Sequence, residues 1–169
     1  PVGISFYTFQ VTGYVIDVYR EINAPEHNFF KYALFVSFFP QIMQGPIGRF
    51  SLLSQTLYEG HAFEYERMTY GLQRMMFGFF EKLVIADRLA IAVDTVWADY
   101  MSYGKIELLL ACLFYAIQIY ADFAGYMDIA LGASEIMGIR LSENFKAPYF
   151  SASVPEFWRR WHITLGSWF

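Results

Sequence analysis

Charge is what this chain has least of. Only 17% of its 169 residues are Asp, Glu, Lys or Arg, against roughly a quarter in an ordinary soluble domain. Too few polar side chains remain to cover a water-soluble surface. With 56% hydrophobic and 21% aromatic residues and uncharged stretches of near-spanning length, the composition favours a multi-pass membrane protein over a soluble domain with a large core. Cysteine is almost missing: Cys112, in Leu108-Leu-Leu-Ala-Cys-Leu-Phe, is the only one, which excludes an intrachain disulfide and is read as a small buried hydrophobe rather than a nucleophile. The net charge of -4 leaves no basic stripe to neutralise phosphates, so nucleic acid is excluded as a partner. Phosphate-cradling glycine motifs, Gly-x-Ser-x-Gly, His-Glu-x-x-His and paired cysteines are all absent, which disfavours nucleotide and zinc chemistry and leaves no metal site to expect. No cationic segment followed by a cleavage site precedes the first apolar run, so no signal peptide is expected. Pro1 falls inside an apolar segment and Phe169 inside an expected helix; both ends read as cut.

What is present reads as a series of helices. Pro1 to Tyr19 is apolar apart from Gln10 and Asp17 and is expected to span, with Asp17 paired to Arg20 at i,i+3. Pro25 breaks a polar connector that carries His27. From Tyr32 to Gly48 no formal charge occurs, yet Pro40 and Gly45-Pro46 interrupt any helix and leave Gln41 and Gln44 in need of partners. Residues 38–49 are therefore a candidate broken or re-entrant segment, tolerated at membrane depth only where protein or a watery cavity surrounds it. Ser51 to Glu66 is expected to be a polar loop, with His61 beside Glu59 and Glu64 as a surface residue rather than a metal ligand. Arg67, Arg74, Glu81 and Arg88 then recur every seven residues. That stripe belongs either to a helix lying in the interface or to a membrane helix turning its charges inward. Residues 97–105 form a polar, aromatic turn, and a helix is expected from Leu108 to Ala133.

An ionisable side chain at the centre of a membrane helix costs about 2.5–3.5 kcal/mol, which makes Asp122 and Asp128 functional candidates. The competing reading, an ion pair that only orients helices, weighs at least as much for Asp128. Gln118, Asp122 and Tyr126 share one face, and Gly125 admits a close neighbour. Ser153-Val-Pro-Glu156 matches a capping box that opens a helix. At helical spacing Trp158, Trp161, Leu165 and Trp168 form one stripe, with Arg159, His162 and Gly166 beside it. Aromatics in such a stripe are usually anchors, and Arg159-Arg160 suits anionic headgroups. A lone imidazole there has few structural reasons to exist, and its neutral form suits proton abstraction from a hydroxyl.

Five stretches carry a resemblance: Phe39-Pro-Gln-Ile-Met-Gln-Gly-Pro-Ile47, Gly78-Phe-Phe-Glu-Lys-Leu-Val-Ile-Ala-Asp-Arg88, Gln118-Ile-Tyr-Ala-Asp-Phe-Ala-Gly-Tyr-Met-Asp128, Glu143-Asn-Phe-Lys-Ala-Pro-Tyr149 and Glu156-Phe-Trp-Arg-Arg-Trp-His-Ile-Thr-Leu165. In colinear order across nearly the whole chain they resemble the membrane-bound O-acyltransferase family, nearest its bacterial alginate O-acetyltransferase branch. The resemblance implies an all-α, multi-pass integral membrane bundle in the bacterial inner membrane, of which residues 1–169 are the central part of one larger domain. It also implies transfer of an acyl group, acetyl in that branch, from a cytoplasmic donor such as acetyl-CoA or an acyl carrier to hydroxyls of an extracytoplasmic polysaccharide such as alginate, or to a partner protein. No bound cofactor is implied. His162 then lines the funnel as a candidate base, while the principal catalytic His, in a His-Gly motif, lies beyond Phe169. Asp122, Asp128, Asn144, Trp158, Arg159, Arg160 and Trp161 are candidate substrate-binding residues, with Asp122 a candidate orienter of His162. Thr164 and Gly166 depart from the usual Trp-His-Ile-Ser-Leu-Ser, and Ala124 and Met127 from Asp-Phe-Ser-Gly-Tyr-Ser. The alternative from another class is a non-catalytic membrane transport or docking module. Residues 1–169 alone are expected to be inactive.

Overall fold

The computed structural model describes residues 3–42 and 44–169. Pro1 and Val2 of the expected first span, and Met43 of the expected broken segment, lie outside the described residues. The described chain is helical: α1 Ile4–Tyr19, α2 Phe29–Ser37, α3 Phe39–Ile42, α4 Phe50–Leu57, α5 Tyr65–Phe79, a π-helical segment Phe80–Ala86, α6 Asp87–Ala98, α7 Lys105–Ile136, α8 Val154–Arg160 and α9 Ile163–Trp168. Among the described residues no strand forms, and the one β feature is an isolated antiparallel bridge between Phe145 and Trp161. The all-α expectation holds. One described helix, α7, is long and apolar enough to cross a membrane; α1 has 16 residues, about 24 Å of helix.

The architecture is set by α7 and the long helix that returns along it. Gly78 and Gly125 bring the two backbones together: a Cβ at Gly78 would stand 2.6 Å from the Gly125 carbonyl oxygen, and one at Gly125 would stand 2.7 Å from that of Gly78. Gly71 and Gly132 repeat the contact seven residues away in each helix, so the helices run antiparallel with small residues at the seam. The same period explains the charged stripe. Arg74 turns onto Asp128 at 2.8 Å and Glu81 is 7% exposed, so the middle of the stripe faces the bundle interior.

A second core of Phe35, Phe38, Phe50, Leu53, Leu57 and Ile139 joins α2, α4 and the segment after α7. Its existence corrects the loop expected over 51–66. Phe50, Leu53 and Leu57 recur at helical spacing and bury against Phe35, which is enough to fold α4. Asp17 is corrected as well: its side chain, 6% exposed, pairs with Arg49 at 3.2 Å rather than with the exposed Arg20. The expected break at Pro40 and Gly45-Pro46 is present between α2 and α4, and Gln41 is satisfied within it. It accepts from Gln10 Nε2 at 2.7 Å and donates to the Pro46 carbonyl at 3.1 Å. Gln44 is exposed, with φ 61°.

The helix expected through Trp158 and Trp168 is two helices. Trp161 is extended and His162 left-handed, at φ 47° and ψ 54°. The bridge to Phe145 and a hydrogen bond from Ile163 N to the Asn144 carbonyl at 3.0 Å take the place of helical bonds at this point. The single tryptophan stripe therefore does not form.

Candidate functional site

The site is built where the extended segment after α7 meets the α8–α9 turn. Ser153 opens α8 as expected, its hydroxyl accepting from Glu156 N at 3.3 Å, while the Glu156 carboxylate accepts from Ala152 N at 2.8 Å. Aromatic packing fixes the other end. Trp161 stacks on Phe157 at 5.5 Å and meets Phe145 edge-on at 5.0 Å, with Tyr120 of α7 at 6.2 Å. Trp161 is thereby an anchor between α7 and the turn, as aromatic side chains with large buried area tend to be.

His162 follows directly. Its ring is half-buried with its edge geometry set by Phe123, centroid to centroid 4.8 Å at 86°, and Nε2 is buried without a hydrogen-bond partner. Desolvation at this turn lowers the imidazole pKa below its ordinary value, so the neutral, proton-accepting form prevails at neutral pH. The backbone around it is clamped. Asn144 Oδ1 accepts from Thr164 N at 2.9 Å and from Thr164 Oγ1 at 2.7 Å, and Thr164 Oγ1 in turn accepts from Ile47 N at 3.1 Å. α9 is further tied by Trp168 Nε1, which donates to the Phe9 carbonyl at 3.1 Å, and by Arg49, which donates to the Ser167 carbonyl.

Other candidates lie apart from the imidazole. Asp122 stands 2.7 Å from Lys82 Nζ, an ion pair by distance whose Oδ1 is off the hydrogen-bond direction. Lys82 also pairs with Asp87 at 2.6 Å and lies 5.5 Å above the Tyr126 ring, which agrees with Asp122 and Tyr126 sharing a face. No hydrogen bond joins Asp122 to His162 Nε2, and the contact with Lys82 fits the helix-packing reading of Asp122. Asp128 pairs with Arg74, whose other nitrogens take Glu143 in a bidentate contact at 2.7 and 2.6 Å. The helix-orienting reading of Asp128 is the one this geometry supports. Asn144 is fully enclosed, with its oxygen accepting from Thr164 and its amide donating to Met127. Arg160 pairs with Glu156 at 2.6 Å. Arg159 and Trp158 are exposed and line a cleft of about 470 Å³ with Ile163, Gly166 and Ser167.

A second cleft of about 460 Å³, where the α4–α5 connection and the start of α5 meet the end of α7, is lined by His61, Glu64, Arg67, Glu135 and Arg140. It carries charges of both signs, and His61 Nε2 is engaged with the Thr56 carbonyl at 2.6 Å. Among the described residues no group of three or more His, Cys, Asp or Glu gathers as a metal would require.

Residues 20–169 match the membrane-bound O-acyltransferase family. The chain belongs to that family. Within it, the chain is 43% identical over 169 residues to a probable alginate O-acetylase of Pseudomonas aeruginosa, covering 99% of this chain and 32% of that protein. It is 35% identical over 191 residues to a peptidoglycan O-acetyltransferase of Helicobacter pylori, covering 98% of this chain and 36% of the relative. A teichoic acid D-alanyltransferase of Bacillus subtilis is 31% identical over 175 residues, covering 99% and 43%. The chain thus spans 32% to 43% of the length of these relatives. Membership of the membrane-bound O-acyltransferases places it among membrane proteins. The family signature stretches coincide with the elements that meet at the turn: residues 39–47 supply Ile47, 143–149 supply Asn144, and 156–165 supply His162 and Thr164. Sequence reasoning missed Arg49, Lys82 and Ile47 as partners, since each acts on a residue more than thirty positions away.

Proposed function

We propose that the whole protein is a multi-pass O-acyltransferase of the bacterial inner membrane, which moves an acyl group, acetyl in this branch, from a cytoplasmic donor to hydroxyls of an extracytoplasmic polysaccharide such as alginate. The single observation that carries the reading is the His162 imidazole, with a buried, unpartnered Nε2 at the meeting point of the family's signature segments. In acyl transfer a hydroxyl oxygen attacks the acyl carbonyl carbon and loses its proton to a base, while the donor's leaving group departs with the bonding pair. A neutral imidazole held in place suits the proton-accepting part. His162 either takes that proton or holds the hydroxyl for the second imidazole that the family resemblance puts beyond Phe169. Arg159, exposed beside Trp158, suits an anionic donor or lipid headgroups. Acetyl-CoA or an acyl carrier enters as co-substrate, not as a bound cofactor.

The test replaces His162 with Ala in the complete protein and follows acyl transfer to polysaccharide in membranes. Loss of about a hundredfold or more is expected for removal of a general base. Unchanged transfer would remove His162 from the mechanism. Passage of acyl groups across the membrane without covalent transfer to glycan would favour a transport or docking module.

A further inference from the structure

We infer that Thr164 is a positioning residue: its hydroxyl, locked between Asn144 and Ile47, fixes the left-handed turn that sets where the His162 imidazole stands. The inference rests on the reading of His162 given above. In acyl-transfer sites the base is commonly held by a third polar group on its ring. Here Asp122, the candidate orienter from the sequence analysis, is paired with Lys82 at 2.7 Å, and His162 Nε2 has no partner. The ring's place is therefore set by its backbone and by its perpendicular contact with the Phe123 ring.

That backbone is in a conformation non-glycine residues rarely adopt, φ 47°, and persists only where its surroundings over-determine it. The surroundings do so from both sides. Ahead of His162, Lys146 N donates to the Arg160 carbonyl at 3.0 Å, and behind it Ile163 N donates to the Asn144 carbonyl at 3.0 Å. Thr164 closes the arrangement, because one hydroxyl donates to Asn144 Oδ1 at 2.7 Å and accepts from Ile47 N at 3.1 Å. It joins the broken segment, the extended segment and the turn through a single oxygen. With Asn144 fully buried and Thr164 5% exposed, water has no ready access to replace either bond. Serine at this position keeps both bonds. Valine keeps the shape and removes both, leaving the Ile47 N–H and one lone pair of Asn144 without partners.

The experiment uses the full-length protein in native membranes, with Thr164→Ser and Thr164→Val compared to the parent. Reactivity of each histidine toward diethyl pyrocarbonate is read by mass spectrometry, alongside acyl transfer. In Thr164→Val, His162 is expected to react about fivefold faster or more, the opening that loss of a buried hydrogen bond permits, while His27 and His61 react at their parental rates. Turnover is expected to fall about tenfold to a hundredfold, as for a misplaced catalytic group, with KM for the donor unchanged. Thr164→Ser is expected to behave as the parent on both readouts. If Thr164→Val fails to accumulate, Thr164→Ala, which also removes the hydroxyl, is read in the same way. Unchanged His162 reactivity, or a rise shared by His27 and His61, would overturn the inference. Should His162→Ala leave transfer intact, the role of His162 fails, and the reactivity comparison still decides whether Thr164 positions the ring.

Discussion

A half-buried imidazole without a partner on Nε2 resists protonation, and desolvation at the α8–α9 turn is the cause. The unfolded chain takes up the proton at the ordinary imidazole value, the folded protein only at a lower one. Below the ordinary value the unfolded state therefore binds more protons, and stability falls with falling pH until the folded pKa is reached. The expected result is that acidification from about pH 7.5 to 5.5, across the ordinary imidazole range, lowers the thermal midpoint of the solubilised whole protein more than that of its His162→Gln variant. Equal acid sensitivity in the two would show that His162 is not held neutral by the fold. Asp122 and Asp128 were legible as special because charged groups are scarce in the apolar stretch that carries them, His162 as a lone imidazole between tryptophans, and Asn144 through the family resemblance. Their partners were not legible, since pairing is decided in space. Asp128 finds Arg74 54 positions away, and Asn144 finds Thr164 20 positions away. The stretch around Asp17 offered Arg20 at helical spacing, yet burial of the carboxylate favoured Arg49 from another segment. An exposed i,i+3 pair contributes only a few tenths of a kcal/mol, too little to hold a carboxylate that burial leaves in need of a partner.

Elements follow the same division between local pattern and distant packing. The breaks at Pro40 and Pro46 and the capping box before α8 are local and were read correctly; the seven-residue charged stripe was read as helical, with the side it faces left open. The seven-residue spacing of Gly71 and Gly78 on one helix and of Gly125 and Gly132 on the other was an available signal for the antiparallel seam. The π-helical segment Phe80–Ala86 left only a faint trace. Lys82 and Asp87 are five residues apart, which puts them on different sides of an α-helix but makes them neighbours where the chain winds as i to i+5. Their 2.6 Å contact fits that winding, and it leaves Lys82 free to meet Asp122 as well. The break between α8 and α9 had no local trace, because Trp161 leaves the helix to bridge Phe145 while the Arg160 carbonyl and Ile163 N bond to Lys146 N and the Asn144 carbonyl. A side chain at Gly125 would press on the Gly78 carbonyl and on Lys82 N at 3.1 Å, so Gly125→Leu would force the helices apart just where the π-helical segment begins. A loss of about 1–3 kcal/mol is expected for overpacking of this kind, seen as a lower thermal midpoint. Gly60→Ala, whose Cβ meets nothing within 4 Å, is the matched change expected to leave the midpoint alone. Equal midpoints for the two variants would show that the helices do not meet at Gly125.

For the molecule as a whole, the distribution of polar groups along α7 indicates which part lipid or further protein must cover. The C-terminal half is lined with buried small residues, Ala121, Ala124, Gly125, Ala130 and Gly132 among them, where α5 and the π-helical segment pack. The N-terminal half presents Ile106, Leu109, Leu113 and Ile117 outward, 72% to 46% exposed, a face that water would not tolerate at this length. Cys112 lies on that outer side and is exposed. This corrects the expectation of a small buried hydrophobe. The physical reason is that Ala111, not Cys112, points toward the packed helix, being 2% exposed. In a 32-residue helix, about 48 Å long and so longer than a bilayer core, the Cys112 turn still falls within the apolar half. An impermeant charged maleimide applied to intact membranes is therefore expected to leave Cys112 unlabelled, while a cysteine placed by Ser102→Cys in the exposed Tyr100–Ser102 turn labels readily from one side. Denaturation in detergent should then expose Cys112 to the same reagent. Prompt labelling of Cys112 by the charged maleimide before solubilisation would mean that α7 meets water along its apolar half, which is incompatible with its lying in the hydrocarbon.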